Sequence, residues 1–298
     1  VYILSNKTKF SMSKRKITTD IIQPIITRSI HKRTHVTSIH DNNISVLLNE
    51  RLKQADDMPS LQGWNMGDAL RHLCTVDTHL CRMIEQTHVP DILIQANSQM
   101  RTPYTALLQS IIYQQIAGSA AKAIYSRLCE SLGVSVEDNI SPSVVYNATF
   151  CQTEIDGKRK MLVNGKVSGL SGQKAKYIQS LTELFMDTNK LKDFDFHSAS
   201  NDEVFEKLIE VKGVGAWSIH MFMIFHLNRP DVLPTGDLAV RRGVCKLYDL
   251  PLTTFEGGKR GENALKERCV HWSPYSTVGA LYMWKMSSTT VMEREFDL

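Results

Sequence analysis

Val211-Lys212-Gly213-Val214-Gly215-Ala216-Trp217-Ser218 is the stretch on which the fold turns. Residues 202–210 before it read as a helix, and residues 216–227 after it read as another. Two helices joined across Gly-Val-Gly make a hairpin, because glycine adopts the left-handed backbone that a sharp turn demands and lets the chain come close to a ligand. The first N–H groups of the second helix have no intrahelical partner, so they form an anion site. A DNA phosphate suits that site, which makes Lys212, Gly213, Gly215 and Ser218 candidate DNA contacts. A plain helix–turn–helix connection would use the same glycines, so this stretch alone leaves both readings open.

Working outward, Thr235-Gly236-Asp237 follows Gly215 by about two dozen residues and opens a helix over 237–248. Asp237 stands where an N-cap belongs, worth roughly 1 kcal/mol to its helix, and a capping carboxylate in a cleft can also do chemistry. Upstream, Gly169-Leu170-Ser171-Gly172 precedes a helix over 171–185. Ser171, Gly172 and Lys174 therefore make a second phosphate-site candidate, or else Ser171 is only a cap. Nearly every other segment has helical periodicity. A pattern capped by Asp68 runs to Ile84, Thr102-Pro103 starts a second, and Gly118-Ser119 starts a third that Gly133 closes. Further helices fit 263–270 and 275–286. Strand character is confined to a short hairpin at 156–167, where Asn164-Gly165 is the turn signal. The expected fold class is all-α.

Composition narrows the classes. The 298 residues are 42% hydrophobic and 22% charged, enough for a sizeable core. No apolar run approaches the roughly 20 residues of a membrane span. Net charge is +4, yet residues 1–40 alone carry +7, which leaves −3 for the rest; any nucleic-acid surface must therefore concentrate its cations locally. The six cysteines show no C-x-x-C spacing, which argues against a zinc or redox motif and suits a reducing compartment. Cys74 and Cys81 are expected to be small buried apolar residues. Residues 1–60 read as a basic, unstructured tail. Met12 is a candidate start, and Ser13-Lys14-Arg15-Lys16 fits a nuclear-import signal, with an organellar presequence as the alternative.

Thr102-Pro103-Tyr104, Ser110-Ile111-Ile112-Tyr113-Gln114-Gln115-Ile116, Gly169–Ala175, Val211–Trp217, Leu233–Gly243, Trp272-x-Pro274-Tyr275 and Tyr282-Met283-Trp284 occur in one order. In that order they resemble the 3-methyladenine DNA glycosylases of the helix-hairpin-helix superfamily, most of all the eukaryotic, plant-like members of the bacterial glycosylase II branch. The resemblance covers roughly 68–286, and the N-terminal β-rich domain of the bacterial enzyme has no counterpart.

The resemblance implies two helical subdomains flanking a DNA cleft, one about 103–228 and the other 61–102 plus 229–298. It implies a monomeric enzyme that needs no cofactor, flips alkylated purines out of double-stranded DNA and hydrolyses their N-glycosidic bonds, before downstream repair enzymes take over. Asp237 falls on the catalytic aspartate. Trp217, Trp284 and Tyr113 fall in the base pocket, and Met221 stands where the bacterial enzyme has a tyrosine. Gln115 or Ala117 falls near the wedge that fills the gap left by the extruded base. The carbonyls of Ile209, Val211 and Val214 match those that hold a monovalent cation in relatives. Lyase relatives carry a Schiff-base lysine where this chain has Trp217, so strand cleavage is not expected. Only Cys245 and Cys269 follow Asp237, too few for the four-cysteine cluster of some members. The alternatives are a mismatch- or oxidised-base glycosylase of the same fold, a catalytically silent DNA-binding module, and a helical interaction protein.

Overall fold

The computed structural model describes residues 40–93 and 101–288. The basic stretch read as an import signal lies outside them. Three helices come first: α1 (His40–Asp56), α2 (Met66–Val76) and α3 (Thr78–Gln86). α4 (Pro103–Tyr113), α5 (Gly118–Leu132) and α6 (Pro142–Tyr146) lead into an antiparallel meander of β1 (Phe150–Ile155), β2 (Lys158–Val163) and β3 (Lys166–Val167). Then come α7 (Gly172–Met186), α8 (Asn201–Leu208), α9 (Ala216–Phe225), α10 (Leu238–Leu247), α11 (Lys259–Arg268), a 3-10 turn at Val270–Trp272 and α12 (Ser276–Ser288). The architecture is the helical one expected, with one small sheet. None of the described helices is long and apolar enough to cross a membrane.

Local chemistry sets most boundaries. Thr102 caps α4 by accepting the Thr105 N–H, with Pro103 in the first turn. Ser200 and Glu203 form a reciprocal capping box at α8, and Gly133 ends α5 in the left-handed conformation. The apolar stripe of α4, Leu107, Leu108, Ile111 and Ile112, is buried throughout.

Three expectations are corrected. First, α1 lies within the stretch read as a tail. Leu48 and Leu52 pack on the core and Ala55 is fully buried against the neighbouring helices. That stripe is too short to stand out in a polar segment, and the faces of α2 and α3 make it worth ordering. Second, the continuous helix expected from Asp68 to Ile84 is two helices broken at Asp77, and Asn65, rather than Asp68, caps the first. Asp77 Oδ1 accepts the N–H groups of His79 and Leu80, while Oδ2 takes Tyr248 Oη, Trp272 Nε1 at 2.8 Å and His271 Nε2 at 3.1 Å. Burial pushes this carboxyl's pKa upward, but the hydrogen bonds outweigh it and hold it at about 2. Cys74 and Cys81, flanking this break, are half-buried rather than buried. Third, the expected two-stranded hairpin is a three-stranded meander. Asp156-Gly157 forms a second two-residue turn, with φ of 52° and 68° matching the 49° and 78° of Asn164-Gly165. β1 escapes a sequence reading because it is almost wholly exposed and lacks apolar alternation.

Candidate active site

Asp237 caps α10 by accepting the Val240 N–H on Oδ1 at 2.9 Å, and it is only 2% exposed. Two tryptophans from distant helices reach the same carboxylate. Trp217 Nε1 donates to Oδ2 at 2.7 Å, and Trp284 Nε1 donates to Oδ1 at 3.1 Å. Trp217 sits in the first turn of α9, so the hairpin itself delivers it. Trp284 arrives through packing: a Cβ at Gly243 would lie 2.4 Å from the Met283 carbonyl oxygen, so only glycine lets α10 come this close to α12. Arg241 steadies the approach loop by donating Nε to the Thr235 carbonyl at 2.7 Å.

A cavity of about 330 Å³ is lined by Gln109, Tyr113, Met221, Phe222, Phe225 and His226 among others. The structure thus brings Tyr113 and Met221 together as pocket walls. Trp217 and Trp284 are not among the lining residues, and neither is Asp237. They connect through Phe225, whose ring stacks on Trp284 at 5.8 Å and 18°. Phe225 and His226 were not singled out from sequence, since both continue an apolar helix that reads as core. His226 is pushed down to about 4 by burial and then by His197, so its imidazole is neutral near pH 7.

The phosphate candidates converge on one edge. Gly213 has φ of +84°, and a Cβ there would lie 2.2 Å from the Tyr177 ring, so glycine is required twice over. Gly215 begins α9 without a side-chain cap and has open space beside it, and Lys212 is exposed. The wedge turn lies next to this hairpin because Gln114 Nε2 donates to the Gly213 carbonyl at 2.9 Å. Gln115, exposed, holds φ of +60°, and Ala117, also exposed, starts α5. Ser171 caps α7 at the surface, with Gly172 beside it.

Two expected contacts are corrected. The Lys174 ammonium does not face outward: Nζ donates to the carbonyls of Ile112 at 2.6 Å and Gln114 at 2.8 Å, closing the end of α4. The Ser218 side chain is buried, with Oγ 3.5 Å from Gln114 Nε2, so only its backbone remains for a ligand. Both are redirected by Gln114, which a local pattern could not place. At the hairpin, the Val211 carbonyl accepts the Val214 N–H at 3.0 Å, and Val214 and Ile209 flank it in the turn. No group of three or more His, Cys, Asp or Glu suited to a metal occurs among the described residues.

A helical body, a glycine hairpin at a helix start and a buried aspartate one helix later define a class of protein. Residues 108–269 match the family described as HhH-GPD superfamily base excision DNA repair protein, and this chain belongs to that superfamily. Among its relatives, the DNA-3-methyladenine glycosylase of Saccharomyces cerevisiae is 30% identical over 230 residues, spanning 69% of this chain and 71% of the relative. DNA-3-methyladenine glycosylase 1 of Schizosaccharomyces pombe is 27% identical over 216 residues, spanning 72% and 85%. The crystal structure of a DNA-3-methyladenine glycosidase from Bacillus halodurans superposes with a TM-score of 0.58 at 28% identity, covering 80% of this chain and 94% of that one.

Proposed function

We propose that this protein is a DNA glycosylase that hydrolyses the N-glycosidic bond of alkylated purines in double-stranded DNA, with Asp237 as the catalytic carboxylate. The observation that carries the reading is the buried Asp237 carboxylate, anchored by Trp217 from the DNA-gripping hairpin and Trp284 from the C-terminal helix. A carboxylate has about four lone-pair positions. The Val240 N–H and Trp284 take both positions on Oδ1 and Trp217 takes one on Oδ2, so the remaining position lies on Oδ2.

In the reaction, the bond between C1′ and the purine nitrogen breaks, its electrons leave with the base, and positive charge develops on the sugar. Asp237 stabilises that charge and orients the water that completes an abasic site. An alkylated purine already carries positive charge and leaves without much help. The cavity bordered by Tyr113, Met221 and Phe225 takes the flipped base. The neutral His226 imidazole adds no like charge against a cationic guest. Trp217 stands where a Schiff-base lysine would act in lyase relatives, so base release without strand cleavage is expected.

The same proposal includes a monovalent cation held by the carbonyls of Ile209, Val211 and Val214. Among the described residues only that of Val211 accepts a backbone hydrogen bond. It also includes action as a monomer, and a nuclear destination set by the basic residues near the N-terminus.

The test is chromatography of bases released from methylated DNA by purified protein. The wild type is expected to release alkylated purines and Asp237→Asn to release them at least about 100-fold more slowly. Native protein that binds an abasic-site analogue but releases no base would leave a silent binding module.

A further inference from the structure

We propose that the β1–β3 meander is a DNA-contacting arm that extends the phosphate-binding edge past the start of α7; this rests on the glycosylase reading above. The edge is continuous. Gln114 ties the wedge turn to the hairpin at Gly213, Lys174 ties the start of α7 to Gln114, and the Gln152 side chain of β1 lies against Gly172, 3.6 Å from where a Cβ would stand.

From Gln152 the β1–β2 ladder runs three more residue pairs before its turn, through Thr153 opposite Lys160, Glu154 opposite Arg159 and Ile155 opposite Lys158. At roughly 3.4 Å per residue that is an overhang of about 10 Å, enough to follow at least about two phosphates of one strand. Opposed residues of an antiparallel pair share a face, and alternate residues share it too. Arg159 therefore lies on the same sheet face as Gln152 and Met161. Met161 is buried at the root of that face and Arg159 is exposed at its tip, while Lys158, also exposed at the tip, lies on the opposite face.

The cations here outnumber their partners. Lys160 pairs with Asp156 at 3.7 Å and Lys166 with Glu130 at 3.3 Å, whereas Lys158 and Arg159 form no ion pair within 4.0 Å among the described residues. On the other side of the 168–172 turn, Arg127 Nε donates to the Ser168 carbonyl at 3.3 Å. Its guanidinium lies over Gly169, where a Cβ would come within 2.5 Å of Nη2. Met161 and Val163 root the arm in the core, but core packing does not account for its tip, because residues 156–159 are exposed. A polyanion lying along the α7 start does account for it.

The experiment measures affinity for a duplex of about 25 base pairs carrying an abasic-site analogue, by fluorescence anisotropy from 50 to 300 mM KCl. Removing two phosphate contacts lowers the slope of log affinity against log salt by about 1 to 2 and weakens binding roughly tenfold near 0.1 M salt. Lys158→Ala/Arg159→Ala is expected to show both effects, and Glu154→Gln, which removes an acid from the same tip, is expected to tighten binding. On a duplex of about nine base pairs centred on the lesion the differences should vanish. Native slope and affinity in both variants overturn the arm while leaving the glycosylase reading intact. Failure of the native protein to bind the analogue overturns both.

Discussion

Asp77 and Asp237 are built alike and do different things. Each is an aspartate under 6% exposed, each caps a helix, and each accepts an indole N–H from far along the chain. They differ in what is left over. Asp77 takes two backbone N–H groups on Oδ1 and three side-chain groups on Oδ2, so its acceptor capacity is exhausted. Asp237 takes three donors in all and keeps one position on Oδ2, beside the glycine hairpin and one aromatic ring from the cavity. A saturated buried carboxylate is a clasp, and one with a spare lone pair near a pocket can act on a substrate.

The largest test of this contrast swaps the carboxylates for amides. Asp237→Asn is expected to slow single-turnover base release at least about 100-fold while the thermal midpoint moves little. Asp77→Asn is expected to do the reverse, since breaking a saturated buried network costs about 2–4 kcal/mol. Calorimetry beside a base-release assay separates the two; equal activity losses in both variants would erase the distinction.

Acid provides the next test. The Asp77 pKa falls from 3.8 to about 2 on folding, so its contribution is fully present above pH 3.8 and is lost as pH falls through about 2. The shift corresponds to about 2 kcal/mol. Urea melts across pH 5 to 2 should show that loss in the wild type and a flatter profile in Asp77→Asn.

The smallest effects come from the indoles. Trp217→Phe and Trp284→Phe keep a ring but remove one N–H donor to a charged acceptor, worth about 1.5–3 kcal/mol, so base release should slow roughly tenfold or more. Trp272→Phe removes the equivalent donor from Asp77, and there the loss should appear in the melting curve, with the rate per folded molecule held. A rate loss in Trp272→Phe comparable with that of Trp217→Phe would show that the clasp reaches the chemistry.

The comparison also marks how far the sequence could be read. Asp237 was visible as a helix cap following a glycine hairpin, and its order among other motifs set it apart. Asp77 lay unnoticed inside what reads as one unbroken helix, because Tyr248, His271 and Trp272 stand 171 to 195 positions away. Trp217 and Trp284 were expected as faces for a flipped base. The Trp284 N–H edge reaches Asp237 through the close approach of α10 and α12 at Gly243, which no local pattern encodes.

Most helix positions, the caps at Thr102, Ser171 and Asp237, the Gly213 turn and the Asn164-Gly165 turn were legible from the amino-acid order alone, since they rest on interactions spanning a few residues. Packing decided the rest: which carboxylate is a clasp, where the Lys174 ammonium goes, and whether α1 forms at all. Those outcomes depend on partners brought together across the chain, where burial removes water and leaves each polar group to the donors and acceptors that the fold supplies.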